Sequence, residues 1–301
     1  MLTILPSLHL IDDQQFNNIH MELTSFQSIY SNYKAIFLDS YGVLVNHRGI
    51  ISGVPDIIQQ IREQQIPLKV LTNSAARTAQ KQAEKYQRQG LSSIQPEEII
   101  TSGMMAKMFL SNKIKSGTVA YLGTTQAAAY IFESSLTPLP VGQVTDQNIA
   151  TIKAMVFLDD EGYDWNFDIN ATVNLLRKKN IPTIVANSDK IYPISKNEVS
   201  IATGGIAQLV ESILGREFIH FGKPDSQMFM HAFEQLPADL QLQRHEILMV
   251  GDTLHTDILG GNKFGIDTLL VLSGNTSEAE YFTKINATGV IPDYVSLSVV
   301  T

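Results

Sequence analysis

Three acidic side chains are placed where they could carry chemistry on phosphate groups. Asp39 follows the apolar run at 35–38, and Asp252 follows the run at 247–250 after one glycine. Asp257 lies five positions beyond Asp252. Magnesium ions in proteins prefer one or two carboxylates together with water and a substrate phosphate. We therefore predict that Asp39 and Asp252 hold Mg²⁺ between them, with Asp257 as a supporting acid.

Two further segments could bind the oxygens of a phosphoryl group. Thr72, Asn73 and Ser74 follow the predicted buried strand at 68–71 and offer a hydroxyl, an amide and backbone N–H groups. Lys223, between a glycine and a proline, could neutralise both a nucleophile and a phosphoryl oxygen in the transition state. Taken singly, these segments are more simply a turn and a solvated lysine. Their occurrence together with the acids favours a phosphate-handling site.

The elements that must position these residues alternate along the chain. Short apolar runs take turns with helical patterns, which is typical of βαβ units and a mainly parallel sheet. Ligands of open α/β sheets bind beyond the carboxyl ends of the strands. We predict an α/β fold in which four strands bring Asp39, Thr72, Lys223 and Asp252 to one edge. The predicted strands are 35–38, 68–71, 98–101, 118–122, 154–158, 182–186, 218–221, 247–250 and, as the last core strand, 269–272.

Composition narrows the class of protein. At 301 residues the chain is long for one hydrophobic core, so two domains are expected. A net charge of −8 argues against a nucleic-acid partner and against an anionic membrane surface. Cysteine is absent, which excludes disulfides and cysteine nucleophiles and fits a reducing compartment. We expect a cytoplasmic location, because the sequence has neither a signal-peptide pattern nor an apolar run of membrane-spanning length.

In order along the chain, four motifs resemble those of the haloacid dehalogenase-like (HAD) superfamily. They are Asp39-Ser40-Tyr41-Gly42-Val43-Leu44, Thr72-Asn73-Ser74, Gly222-Lys223-Pro224 and Gly251-Asp252 with Asp257. Segments at 156–160, 186–189 and 204–206 resemble the NagD-like branch, whose large α/β cap is inserted between the second and third motifs. The resemblance implies a Rossmann-like core formed by residues 1–113 and 201–301, with an α/β cap at 114–200.

The resemblance also implies a role for each site residue. Asp39 would be the nucleophile that forms an aspartyl-phosphate, and Lys223 would clamp both nucleophile and phosphate. Mg²⁺ would be bound by Asp39, Asp252 and the backbone carbonyl of Tyr41, supported by Asp257. The phosphoryl oxygens would be held by Thr72, Asn73 and Ser74. The substrate would be a small phosphorylated metabolite.

Tyr41 departs from the pattern of the phosphatases in this superfamily. Those enzymes usually carry a second aspartate at this position as general acid and base, and losing such a group typically costs about 10²–10⁴-fold in rate. A phenol, with a reference pKa of about 10, could donate a proton but activates water poorly. Three interpretations therefore stay open: a phosphatase in which Tyr41 takes part in catalysis, a phosphate-binding protein with slow or no turnover, and a hydrolytic haloacid dehalogenase.

Other parts of the chain are less informative. Asp160 and Asp189, in the predicted cap, are candidates for substrate selection, although loop acids are the simpler interpretation. Residues 12–30 are predicted to form a helix on the outside of the core. The sequence leaves open a homo-oligomer formed through the cap.

Overall fold

The computed structural model of the chain describes residues 21–195 and 198–301. Its strands are β1 (Ala35–Asp39), β2 (Val45–Asn46), β3 (Gly49–Ile50), β4 (Leu68–Thr72), β5 (Ile99–Thr101), β6 (Thr118–Leu122), β7 (Thr137–Pro140), β8 (Ile152–Phe157), β9 (Thr183–Val185), β10 (Ile191–Pro193), β11 (Val199–Ile201), β12 (Ile219–His220), β13 (Ile247–Gly251), β14 (Asp267–Val271) and β15 (Tyr294–Ser296). Its α-helices are α1 (Phe26–Ile29), α2 (Val54–Glu63), α3 (Ala79–Arg88), α4 (Ser102–Lys113), α5 (Ala129–Phe132), α6 (Trp165–Lys178), α7 (Thr203–Leu214), α8 (Ser226–Glu234), α9 (Leu259–Phe264) and α10 (Tyr281–Thr288).

The larger sheet, which we call the core sheet, has six parallel strands in the order β15-β14-β13-β1-β4-β5. Its central strand β1 is buried on both faces. Phe37 belongs to one apolar cluster and its neighbours Ile36 and Leu38 to the cluster on the opposite face. Such two-sided burial explains why β1 is a continuous apolar run instead of an alternating one. Asp39 therefore emerges between the ends of β4 and β13.

The second sheet, which we call the cap sheet, has five parallel strands in the order β12-β9-β8-β6-β7. Its apolar cluster includes residues of α6 and α7. The antiparallel hairpin of β10 and β11 lies between β9 and α7 along the chain. Because β12 pairs with β9, we propose that the cap extends to about residue 220 instead of ending at 200. The division into domains stays a prediction.

One prediction about the sheet edge was wrong. The run at 218–221 was expected to be one of the strands that converge with β1, but β12 pairs with β9 in the cap sheet. Lys223 thus comes from the loop that returns from the cap sheet to α8. A short apolar run does not reveal which sheet it joins, since both sheets offer a parallel edge of the same kind.

The two ends of the core also differ from expectation. The predicted helix at 12–30 lies partly outside the described residues, and within them only Phe26–Ile29 is α-helical. Leu23 instead forms a parallel bridge with Val295 of β15, the strand that follows the predicted last one. β15 was missed because its residues, Tyr294–Ser296, do not form an apolar run. No helix in the described part of the chain is long and apolar enough to cross a membrane.

Candidate active site

Lys223 lies at the centre of a buried cluster of charges at the carboxyl edge of the core sheet. Its Nζ donates to Asp39 Oδ1 at 2.5 Å, to Asp257 Oδ1 at 2.7 Å and to the Leu71 carbonyl oxygen at 2.8 Å. Each of the three ammonium protons therefore has an acceptor. The residue is only 2% exposed. The interpretation of Lys223 as a solvated surface lysine is wrong.

The acids around this lysine form a group that could hold a metal ion. Asp39, Asp252 and Asp257 are all buried, and one carboxylate oxygen of each lies within 4.8 Å of the others. Three ionised carboxylates and one ammonium leave a net charge of −2. Buried charge without a partner is costly, and a divalent cation bound by oxygen ligands would neutralise it. The donor set thus fits the predicted Mg²⁺.

The pKa values of the group reflect its burial and its excess of negative charge. Burial raises the pKa of Asp39 well above its ordinary value, although Lys223 opposes the shift. Burial and the neighbouring Asp257 raise the pKa of Asp252 to about 7. Burial alone would lower the pKa of Lys223, but Asp257 and Asp39 outweigh it and the net shift is upward. The lysine is therefore charged, and the acids around it favour a second cation.

Asp252 is fixed by a loop that the sequence analysis missed. Asn275 donates its backbone N–H to Asp252 Oδ2 at 2.6 Å, and Ser273 donates its hydroxyl to the Gly42 carbonyl at 2.6 Å. A Cβ on Gly42, whose φ is +80°, would lie 2.2 Å from Asp252 Oδ2, so only glycine allows this approach. The available signal was the position of 273–275 directly after an apolar strand, as for the other site segments.

Asp257 is presented by a single turn of π-helix, Leu254–Ile258. Such turns are rare and occur frequently at functional sites. Asp257 Oδ1 accepts from Lys223, and its Oδ2 accepts from the Thr253 N–H at 3.0 Å. With both oxygens bonded, Asp257 holds the lysine as well as contributing charge to the metal group.

The segment after β4 holds the backbone of Lys223 in place. Asn73 Oδ1 accepts from the Lys223 N–H at 2.7 Å, and its Nδ2 donates to the Lys223 carbonyl at 3.0 Å and to Asp189 Oδ1 at 2.9 Å. The Ser102 hydroxyl donates to the Asn73 carbonyl at 2.6 Å. Thr101 caps α4, because its side chain accepts from the Met104 N–H. Thr72 lies beside Asn73 and is buried.

Tyr41 lies two residues beyond Asp39, yet its hydroxyl contacts the cap. It donates to the Pro193 carbonyl of β10 at 3.0 Å. Burial and the nearby Asp252 raise its pKa. A phenol with a raised pKa whose proton is already donated is a poor source of acid or base catalysis.

The two candidate selectivity acids of the cap differ in their surroundings. Asp189 accepts from Asn73, which links the cap to the segment after β4. Asp160 lies near the side chain of Tyr192 in β10. The structure thus brings Asp189 to the site, whereas Asp160 lies beside the hairpin.

The chain is similar to proteins of known family over almost its whole length. Residues 36–137 match the family model described as haloacid dehalogenase-like hydrolase, and residues 220–297 match the one described as HAD-hydrolase-like. A crystal structure of a possible sugar phosphatase of the HAD superfamily from Cytophaga hutchinsonii is 48% identical, with a TM-score of 0.91, over 94% of this chain and 99% of that one. The chain belongs to the haloacid dehalogenase-like superfamily.

Two more proteins are similar to this chain over most of its length. Glycerol-3-phosphate phosphatase from Gallus gallus is 26% identical over 91% of this chain and 92% of its own length. NagD from Escherichia coli K-12 has the same fold, with a TM-score of 0.70, 23% identity and coverage of 89% of this chain and 97% of its own. The predicted resemblance to the HAD superfamily is confirmed, and the chain shares its fold with NagD.

Proposed function

We propose that this HAD protein is a Mg²⁺-dependent phosphatase of a small phosphorylated metabolite, with Asp39 as its nucleophile. One observation carries the proposal: the Lys223 ammonium joins Asp39 and Asp257 inside a buried group of three acids. This arrangement places a carboxylate beside two positive charges, the lysine and the proposed metal. The phosphatases among its relatives support the choice of phosphate esters as substrates.

The reaction would take two steps at Asp39. In the first, a carboxylate oxygen forms a bond to phosphorus, and the bond from phosphorus to the leaving oxygen breaks; the leaving oxygen keeps the electron pair and takes up a proton from solvent. In the second, water forms a bond to phosphorus and gives up a proton to solvent, and the aspartyl oxygen leaves, which releases inorganic phosphate. Lys223 stabilises the charge that accumulates on the phosphoryl oxygens. When bound, Mg²⁺ neutralises these oxygens.

The remaining residues would position the phosphoryl group and the metal. Thr72 and Ser74 would donate to phosphoryl oxygens. Asn73, whose amide is occupied by Lys223 and Asp189, would contribute its backbone while holding the lysine in place. The carbonyl of Tyr41 would join Asp39 and Asp252 as a metal ligand, with Asp257 behind them.

A panel of phosphate esters tests the proposal. We expect phosphate release that requires Mg²⁺, stops on chelation and is lost in Asp39→Asn. Aryl and acyl phosphates should be hydrolysed faster than alkyl phosphates, because their leaving groups need less protonation. Halide release from a 2-haloacid without added metal would instead establish the dehalogenase.

A second candidate function is phosphate binding with slow or no turnover. The observation that favours it is the hydrogen bond from Tyr41 to Pro193, which leaves the site without an evident acid or base at this position. Binding of Mg²⁺ and inorganic phosphate that depends on Asp39, without hydrolysis of any ester, would support this function over the phosphatase.

The cap would select the metabolite, and it would also be the contact in a homo-oligomer. Exposed apolar side chains on α7 and the hairpin support this contact, among them Leu209, Ile213, Val199 and Ile201. Light scattering of Leu209→Glu beside the unchanged protein would test this contact.

The proposed location of the protein is the cytoplasm.

A further inference from the structure

We propose that Tyr41 is a positioning residue that fastens the cap hairpin of β10 and β11 over the nucleophile. The proposal rests on the proposed function, because it assigns Tyr41 a task in that same site. The Tyr41 hydroxyl, on the loop that follows Asp39, donates to the Pro193 carbonyl at 3.0 Å. The two residues are 152 positions apart in the sequence. This bond joins the core directly to the last residue of β10.

The loop that carries Tyr41 is held firmly on the core side. Tyr41 forms a bridge with Val45, and the Gly42 N–H donates to the Val45 carbonyl at 2.7 Å. The ring packs against the apolar cluster on this face of the core sheet. Because backbone and ring are both fixed, the hydroxyl has a defined position, and the hydrogen bond transmits that position to the hairpin.

The hairpin is held at neighbouring points as well. Asn73 donates to Asp189 Oδ1, four residues before Pro193. Within the cap, the side chain of Tyr192 lies near Asp160. Two points of the cap, Asp189 and Pro193, are thus joined to the core. Both links to the core begin at segments that follow β1 and β4, so the position of the hairpin is coupled to the site.

This arrangement accounts for a tyrosine at position 41, where the resemblance to the superfamily led us to expect an aspartate. An ionised carboxylate is an acceptor only and would face the Pro193 carbonyl oxygen without a proton between them. A phenol is longer and donates. At position 41 the chain thus has a hydrogen bond between the core and the cap instead of a general acid and base.

Hydrogen exchange of the full-length protein tests this role without any substrate. In Tyr41→Phe, which keeps the ring, we expect the amides of 190–195 and 198–204 to exchange up to about fivefold faster, as the loss of one neutral hydrogen bond permits. Amides of β14 should not change. The matched control is Tyr33→Phe, which removes a hydroxyl bonded to Asp267 far from the hairpin and should leave hairpin exchange unchanged.

Two additional measurements separate positioning from a merely structural effect. Asp189→Ala removes the neighbouring link and should also accelerate hairpin exchange. With an aryl phosphate and Mg²⁺, Tyr41→Phe should raise KM several-fold while kcat stays near its original value. Hairpin exchange that is the same in Tyr41→Phe and the unchanged protein would overturn the fastening. Absence of ester turnover in the unchanged protein would refute the phosphatase and leave the exchange result to decide this proposal.

Discussion

The core sheet and the cap sheet place polar side chains at equivalent positions, yet they use them differently. At the core edge, Asp39 follows β1 and shares Lys223 with Asp257. At the cap edge, Asp159 follows β8 after one residue. Its Oδ2 accepts from the Thr124 hydroxyl at 2.9 Å and its Oδ1 from the Asp160 N–H at 3.0 Å.

The difference shows what makes a sheet edge into a site. At both edges the carboxyl ends of the strands bring polar groups together, as expected for parallel strands. The cap acid is satisfied by a hydroxyl and an amide, so it needs no further partner. The core edge instead concentrates three acids around one lysine and retains an excess of negative charge. That excess favours the binding of a metal ion, and the metal ion would in turn bind a phosphoryl group.

The largest expected effect comes from removing the acid at each edge in turn. Asp39→Asn should lower phosphatase turnover by more than about 10⁴-fold, as the loss of a nucleophile does. Asp159→Asn is the matched control and should leave turnover close to that of the unchanged protein. Steady-state kinetics with an aryl phosphate checks both. A large loss in both variants, or in neither, would remove the distinction between the edges.

Lys223→Met should destabilise the protein by about 3–5 kcal/mol in the absence of metal, because it leaves buried acids without their counter-charge. Denaturant unfolding measures this free energy. For comparison, Lys178→Met breaks an exposed pair with Asp146 and should change the unfolding free energy far less. Equal effects of the two substitutions would contradict the structural importance of the buried cluster.

Tyr41→Asp sharpens the comparison by adding a fourth acid to the core edge. We expect kcat for alkyl phosphates to rise by about 10²-fold, because a general acid and base becomes available. KM should rise at the same time, since the carboxylate cannot donate to Pro193. A panel of aryl and alkyl esters measures both constants. If kcat does not change with alkyl esters, the missing acid does not limit the reaction.

The smallest effect is the pH dependence of metal binding. An acid whose pKa is raised by folding favours the folded state when protonated, so the metal-free protein should lose stability as the pH rises through the Asp252 pKa of about 7. Mg²⁺ binds the deprotonated form, so its stabilising effect should be larger at about pH 8 than at about pH 6. Thermal melts with and without Mg²⁺ test this, and Asp252→Asn should weaken the dependence.

Much of the core could be predicted from the sequence because its strands are continuous apolar runs. Asp39 and Asp252 could be identified for the same reason, since each follows a run that ends at one sheet edge. The loop at 273–275 follows such a run too, but its serine, glycine and asparagine are equally typical of an ordinary turn. Their residue types gave no reason to expect a contact with Asp252.

Other features depend on tertiary structure that local patterns do not encode. The run before Lys223 could have joined either sheet, because a two-residue strand such as β12 carries too little information to choose its partner. The contact between Tyr41 and Pro193 joins residues 152 positions apart. Neither residue type points to the other, so the contact could not be anticipated.

A crystal structure with Mg²⁺ and beryllium fluoride, a mimic of a phosphoryl group, tests the central claim most directly. We predict beryllium fluoride on the Asp39 carboxylate, Mg²⁺ held by Asp39 and Asp252, and the Lys223 ammonium beside both. Mg²⁺ bound away from these acids, or the mimic bound away from Asp39, would contradict the account.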